Sequence, residues 1–341
     1  MNIKLFTIVL LFMFNHSVFA LPTTKVTIKV TDEAGVPIEG AKMSVILMSP
    51  KGQGEGWGTV SSQVTGVTDS DGLFSGEGKT QAYVSFSATK EGYYGSSGSF
   101  DKFTGVSGFP GFRKYEPWNP TVELVLKKII NPISMYAVRM PGGQADVYPE
   151  IPVLGRFVGY DLIANDWVAP HGLGTHRDFL FKVDIARSNS NQDYDVTLTL
   201  KFSNQGDGLI KYTPDISKGK SRLRLPHRAP VSGYTGELVH HYERTPGVIS
   251  YPGAGNPDYD INYFFRVRTE LDKEGNVIGG LYGKLHSDIN LHNYTLRIKD
   301  KNPFLSFNYY LNPNNNDTNI EYDLEKNLFK GVPDQRKVIN P

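Results

Sequence analysis

The sequence predicts an all-β protein of two domains, a small N-terminal β-sandwich followed by a larger antiparallel one. Three observations lead there. Apolar residues alternate with polar ones over short runs bounded by Gly, Pro and Asp, the pattern of half-buried strands. No window between residues 23 and 128 carries a convincing 3.6-residue period. The composition, with 35 Gly, 21 Pro and 12% aromatic residues in 341, favours turns and strands over helices.

Residues 1–20 read as a secretory signal peptide. Lys4 supplies the positive charge and Leu5 to Phe14 the apolar core, and Val18 and Ala20 occupy the −3 and −1 positions of a small-residue cleavage site. That run is shorter than the roughly 20 residues a bilayer requires. No Cys follows the cleavage position and no later segment is apolar enough to cross a membrane. The expected location is therefore secreted or periplasmic, without membrane insertion. With no Cys anywhere, disulfides, thiolate metal sites and cysteine nucleophiles are excluded. A formal net charge of +1 gives no global attraction to nucleic acid, so nucleic acid is not an expected partner.

The first domain spans 23–128. Val26, Ile28 and Val30 share one face of a strand, as do Met43, Val45 and Leu47, and then Val84, Phe86 and Ala88. Asp32-Glu-Ala-Gly35 and Asp69-Ser-Asp-Gly72 make the intervening turns, because Gly takes positive φ without steric penalty. Thr121 to Leu126 forms the closing strand. Two insertions interrupt this unit, Ser49–Val64 with Trp57 and Tyr93–Trp118 with many aromatics among Gly and Ser.

Three motifs, Gly35-x-Pro37-Ile38-x-Gly40-Ala41, Thr68-Asp69-x-x-Gly72-x-Phe74 and Ala88-x-Lys90-x-Gly92-Tyr93, resemble the carboxypeptidase regulatory-like domains. The resemblance covers about a third of the chain. It implies a seven-stranded sandwich of transthyretin-like or immunoglobulin-like form with an accessory, non-catalytic role, and it carries over no active-site residue.

The junction Lys127-Lys128-Ile-Ile-Asn131-Pro132 marks a boundary, and a second domain fills 133–341. Strands are predicted around Phe179–Ile185, Val196–Phe202, Tyr263–Leu271, Tyr294–Ile298 and Leu305–Leu311, with Lys273-Glu-Gly275-Asn276 as a hairpin turn. The run Gly159-Tyr-Asp161 … Asp166-Trp167 … Pro170-x-Gly172-x-Gly174, followed by Asp178-Phe179, is similar to uncharacterised exported bacterial proteins. That likeness brings no activity with it.

No catalytic residues are predicted, and no cofactor. The Gly-x-Ser-x-Gly elbow, the His-Glu-x-x-His zinc motif and the phosphate-binding Gly-rich loop are all missing. His171, His176 and Asp178 are the densest candidate ligands for a metal ion, since imidazole and carboxylate suit zinc or iron; the glycines between them favour loop hydrogen bonding instead. His240 and His241 are adjacent, so on a strand they face opposite ways. Lys218, Lys220, Arg222, Arg224 and Arg228 form a basic run that would suit a polyanion if gathered on one face, and a solvated loop otherwise. The aromatics Trp57, Tyr93, Tyr94, Phe103, Phe109, Phe112 and Trp118 are candidate ligand-binding residues. They serve either a surface contact, where rigid rings on a small-residue background engage a partner, or internal packing.

The function these readings favour is an exported non-catalytic binding or structural protein that meets a glycan, a cell-envelope polymer or a protein partner through loop aromatics. Two alternatives stand beside it: a metal-dependent or carboxylate hydrolase in the C-terminal domain, and a subunit of a surface assembly built by strand pairing. A sheltered pocket gathering His171, His176 and Asp178 would favour the first alternative, and a long uncovered edge strand the second.

Overall fold

The structure is a computed structural model and describes residues 21–50, 59–109, 111–140, 148–247, 261–295 and 301–341. The signal-peptide reading, Trp57, and Leu296 and Ile298 of the strand expected near Tyr294 lie outside the described residues. Among the described residues the fold is all-β, interrupted only by two short 3-10 turns at Ile216–Lys218 and Asp334–Arg336.

In chain order the strands are β1 (Thr23–Thr31), β2 (Lys42–Pro50), β3 (Thr59–Val67), β4 (Leu73–Lys79), β5 (Val84–Thr89), β6 (Tyr93–Tyr94), β7 (Ser96–Phe100), β8 (Gly105–Ser107), β9 (Lys114–Glu116), β10 (Thr121–Val125) and β11 (Lys127–Lys128). They continue as β12 (Ile133–Val138), β13 (Val158–Asp161), β14 (Asp166–Trp167), β15 (Phe179–Ser190), β16 (Asp193–Lys201), β17 (Gly208–Tyr212), β18 (Lys220–Ser221), β19 (Glu237–Arg244), β20 (Asn262–Leu271), β21 (Val277–His292), β22 (Phe304–Leu311) and β23 (Tyr322–Asn327).

The chain divides into two compact units, residues up to 90 with 96–126, and residues 91–95 with 127–341. One excursion is invisible in the sequence: Tyr93 and Tyr94 leave the first unit to pair as β6 with β11.

In the first unit, β7, β5, β2 and β3 form one antiparallel sheet, and β1 joins β4 antiparallel and β10 parallel in another. The alternating residues predicted to face inward do so: Val26, Ile28, Val30, Met43, Val45, Leu47, Val84, Phe86 and Ala88 are all buried. Gly76 and Gly78 of β4 lie so close to Val45 and Leu47 that an added Cβ would come within 2.7 and 2.4 Å of them, which is why glycine breaks the alternation there. The turns hold by side-chain caps. The Asp32 carboxylate accepts from the Ala34 and Val36 N–H groups, and Asp69 accepts from those of Asp71 and Leu73.

In the second unit a sheet of order β14-β13-β15-β16-β19 faces one of order β17-β20-β21-β22-β12-β23. Between them lies an aromatic core including Phe179, Phe181, Tyr160, Phe265, Phe307 and Tyr309. A second apolar cluster covers the other face of the larger sheet, where Leu225 and Ala229 pack on Phe264, Tyr282, Tyr310 and Tyr322. Because apolar layers lie on both sides, β20 and β21 are buried on both faces rather than alternately.

Candidate functional site

The Tyr93–Trp118 insertion supplies β6 and β7 and then folds, from Gly105 to Glu116, as hairpin β8–β9. Its base closes where the Thr104 N–H donates to the Glu116 carbonyl (2.7 Å), and the Thr23 N–H of β1 donates to the Arg113 carbonyl (2.8 Å) beside the tip. The Glu116 carboxylate accepts from Ser107 Oγ and the Trp118 N–H. At the tip, Gly108 and Gly111 take φ of +95° and +92°, and the Phe112 N–H donates to the Phe109 carbonyl at 2.9 Å. A Cβ on Gly108 would sit 2.5 Å from the Phe112 carbonyl oxygen, so this close turn requires glycine.

The turn turns two phenyl rings outward, and Phe109 and Phe112 are each 81% exposed. The other predicted aromatics divide differently. Phe103 packs against Phe100 and Tyr115 with ring centroids 4.9 and 5.0 Å apart. Trp118 is half-buried beneath the Lys114 ammonium, 4.3 Å from its ring. Tyr93 is half-buried, and Tyr94 is buried with its hydroxyl donating to Glu321 at 2.8 Å. Among the described candidate aromatics, Phe109 and Phe112 are thus the exposed ones, while Tyr94 and Phe103 are packed.

The candidate metal ligands His171, His176 and Asp178 are not gathered into one group. Among the described residues no group of three or more His, Asp or Glu side chains is placed to hold an ion. Asp178 is buried and grips Arg268 in two parallel bonds, Oδ1 to Nε at 2.8 Å and Oδ2 to Nη2 at 2.9 Å, while Oδ2 also accepts the Leu162 N–H. Arg268 Nη2 reaches Asp161 Oδ1 at 3.1 Å. Burial raises the Asp161 pKa, but N–H groups of Thr175, Ala164, His176 and Ile163 outweigh it and bring it to about 2. His176 sits beside Asp161 at 3.6 Å with Nδ1 on Thr175 Oγ1. His171 lies apart, on a cleft. The sequence signature 159–178 is therefore the β13–β14 pair and the loop after it, fastened from within by a buried ion-pair network.

Sequence reasoning missed Arg268, the centre of that network. It has φ +55° at a register shift in β20, where Arg268 and Thr269 stand against Gly280 alone and Gly279 already pairs with Glu270. The Gly-Gly pair within a strand was the available signal for a bulge.

A cleft of about 460 Å³ opens on the second unit, lined by Tyr148, Glu150, Asp166, Trp167, His171 and Arg336 among others. Asp166 is engaged in its own loop, accepting from the Trp167 and Leu173 N–H groups, and Arg336 donates to Asn165 Oδ1 at 3.3 Å.

The arginines of the basic run Lys218–Arg228 are engaged one by one rather than with a common partner. Leu223 and Leu225 are buried, and the cations between and around them serve separate partners. Arg222 donates to the Ile339 carbonyl, Arg224 to Ser287 Oγ and Arg228 to Thr318 Oγ1. Lys218 and Lys220 are exposed. His240 and His241 face opposite ways, as expected, toward Asp288 and Asp195.

Among known proteins, no family model matches the chain and no curated protein matches it. No helix among the described residues is long and apolar enough to cross a membrane.

Proposed function

We propose that this is an exported, non-catalytic binding protein that engages its partner through the tip of hairpin β8–β9. The observation that carries this reading is the pair of outward phenyl rings, Phe109 and Phe112, each 81% exposed on a glycine-built turn. Two large apolar side chains exposed to water on one turn are unfavourable in the free protein and gain free energy when covered. Phenyl rings lack a polar handle, so they suit a concave apolar pocket on a protein partner or the apolar face of a saccharide in the cell envelope. We read the first unit as a carboxypeptidase regulatory-like scaffold. Gly35, Gly40, Gly72 and Gly92 of the resembling motifs all take positive φ, which supports that reading.

Full burial of a Phe contributes about 1.5–3 kcal/mol. The Phe109→Ala/Phe112→Ala variant should therefore lose retention on arrays of envelope polysaccharides and envelope proteins by on the order of a hundredfold, with an unchanged melting temperature. Unaltered retention, or retention lost only together with the fold, would refute the proposal. A separate Trp57→Ala variant tests the candidate aromatic of the 49–64 insertion.

A further inference from the structure

Strand β3 lies at the end of its sheet and, among the described residues, pairs with β2 alone. The pairing is regular across all nine residues, from Lys42 opposite Val67 to Pro50 opposite Thr59, with no bulge to twist the free side away. Its sequence, Thr-Val-Ser-Ser-Gln-Val-Thr-Gly-Val, holds no charged residue and no proline. From residue 61 to 67 every position is exposed except the half-buried Val64.

Natural sheets guard such edges with charges, proline, bulges or short strands, and the other sheet edges among the described residues are short or charged. In the second unit, β14 has two residues and β17 five, with Lys211. β19 carries Glu237, Glu243 and Arg244, and β23 carries Asp323, Glu325 and Lys326. In the first unit β8 is three residues long, β10 carries Glu123, and β4 carries Glu77 and Lys79. Among the described strands, only β3 combines length, regularity, neutrality and exposure.

We propose that β3 is an assembly edge that pairs antiparallel with β3 of a second copy of this chain. A two-fold pairing places each residue opposite a residue of the same strand. In the register that uses all nine residues, Gln63 meets Gln63, Ser61 meets Thr65 and Thr59 meets Val67, so no like charges oppose and hydroxyl pairs face one another. The chain's net charge of +1 adds little repulsion between copies. A single strand pair about 30 Å long covers a small area, so the dimer is weak, micromolar or weaker.

The test is sedimentation velocity of the full mature chain from low micromolar to sub-millimolar concentration. Wild type should shift from monomer to dimer. The Ser61→Lys/Thr65→Lys variant sets Lys against Lys twice across the two-fold axis and should stay monomeric with an unchanged melting temperature. The Ser61→Lys/Thr65→Glu variant sets Lys against Glu in the same register and should regain the dimer. A wild type that is monomeric throughout overturns the proposal. So does a dimer that the Lys/Lys variant leaves intact, or a Lys/Glu variant that behaves like Lys/Lys.

Discussion

Lys284 and His286 sit two residues apart on β21, both against the Tyr310 ring, and neither Lys284 Nζ nor His286 Nε2 has a hydrogen-bond partner. Three other charges act on them. Glu321 opposes the positive charge, but its oxygens already accept from the Tyr94 hydroxyl and from the Ile130 and Asn131 N–H groups. Lys127 and Arg224 add positive charge. Burial pushes the Lys284 amine down to about 7, with Glu321 resisting and Lys127 assisting, and burial together with Lys284 and Arg224 keeps His286 neutral. Because the folded value lies below the unfolded one, the folded chain binds fewer protons. The destabilisation is complete below about pH 7 and is relieved as pH rises toward about 10.5. Lys284→Met should therefore raise stability by about 1–4 kcal/mol below neutral pH and flatten the rise between neutral and alkaline pH. Denaturant melts across that range measure both effects, and a variant less stable than wild type at low pH would contradict this reading.

At the scale of elements, the 161–178 loop and the β8–β9 hairpin are built on opposite principles. The loop is fastened from inside, since Asp161 and Asp178 spend their oxygens on Arg268 and on backbone N–H groups. Removing one partner leaves a buried charge uncompensated, a loss of about 3–5 kcal/mol. Asp178→Ala should cost that much and open the loop to limited proteolysis, whereas His171→Ala should do neither. The Asp161 contribution is present above its unfolded pKa of 3.8 and is lost as pH falls through about 2. Proteolysis that treats the two variants alike would sink the fastening role.

The hairpin instead turns its largest apolar groups outward. Its glycines were visible in the sequence as punctuation, but which of eight rings between Tyr93 and Trp118 would meet solvent was not. Phe103 differs from Phe109 only in what surrounds it, Phe100 and Tyr115 on one hand and water on the other. The alternation of Arg222, Leu223, Arg224 and Leu225 was legible as a strand-like stretch, and the leucines do turn inward. The partners that scatter the arginines, such as Ile339 and Ser287, are distant in sequence and left no local trace.

At the scale of the whole molecule, period-2 alternation and turn chemistry carried the all-β class and most strand positions, because both act over a few residues. Each unit's two-sheet build followed from them. What stayed hidden depends on long-range placement: the excursion of Glu91–Gly95 into the second unit, the bulge at Arg268, the double-sided burial of β21, and the free edge of β3, whose lack of charge was plain but whose terminal position in the sheet was not. A chain without cysteine allows a direct test of the hairpin as the contact element. Ser107→Cys, beside the tip, and Glu274→Cys, on the exposed β20–β21 turn, each accept one solvatochromic label, whose emission is then followed as an envelope fraction that retains the wild type is titrated in. Burial of the hairpin tip predicts a saturable blue shift from the label at 107 and none from the label at 274. Retention with no shift at 107 would contradict it.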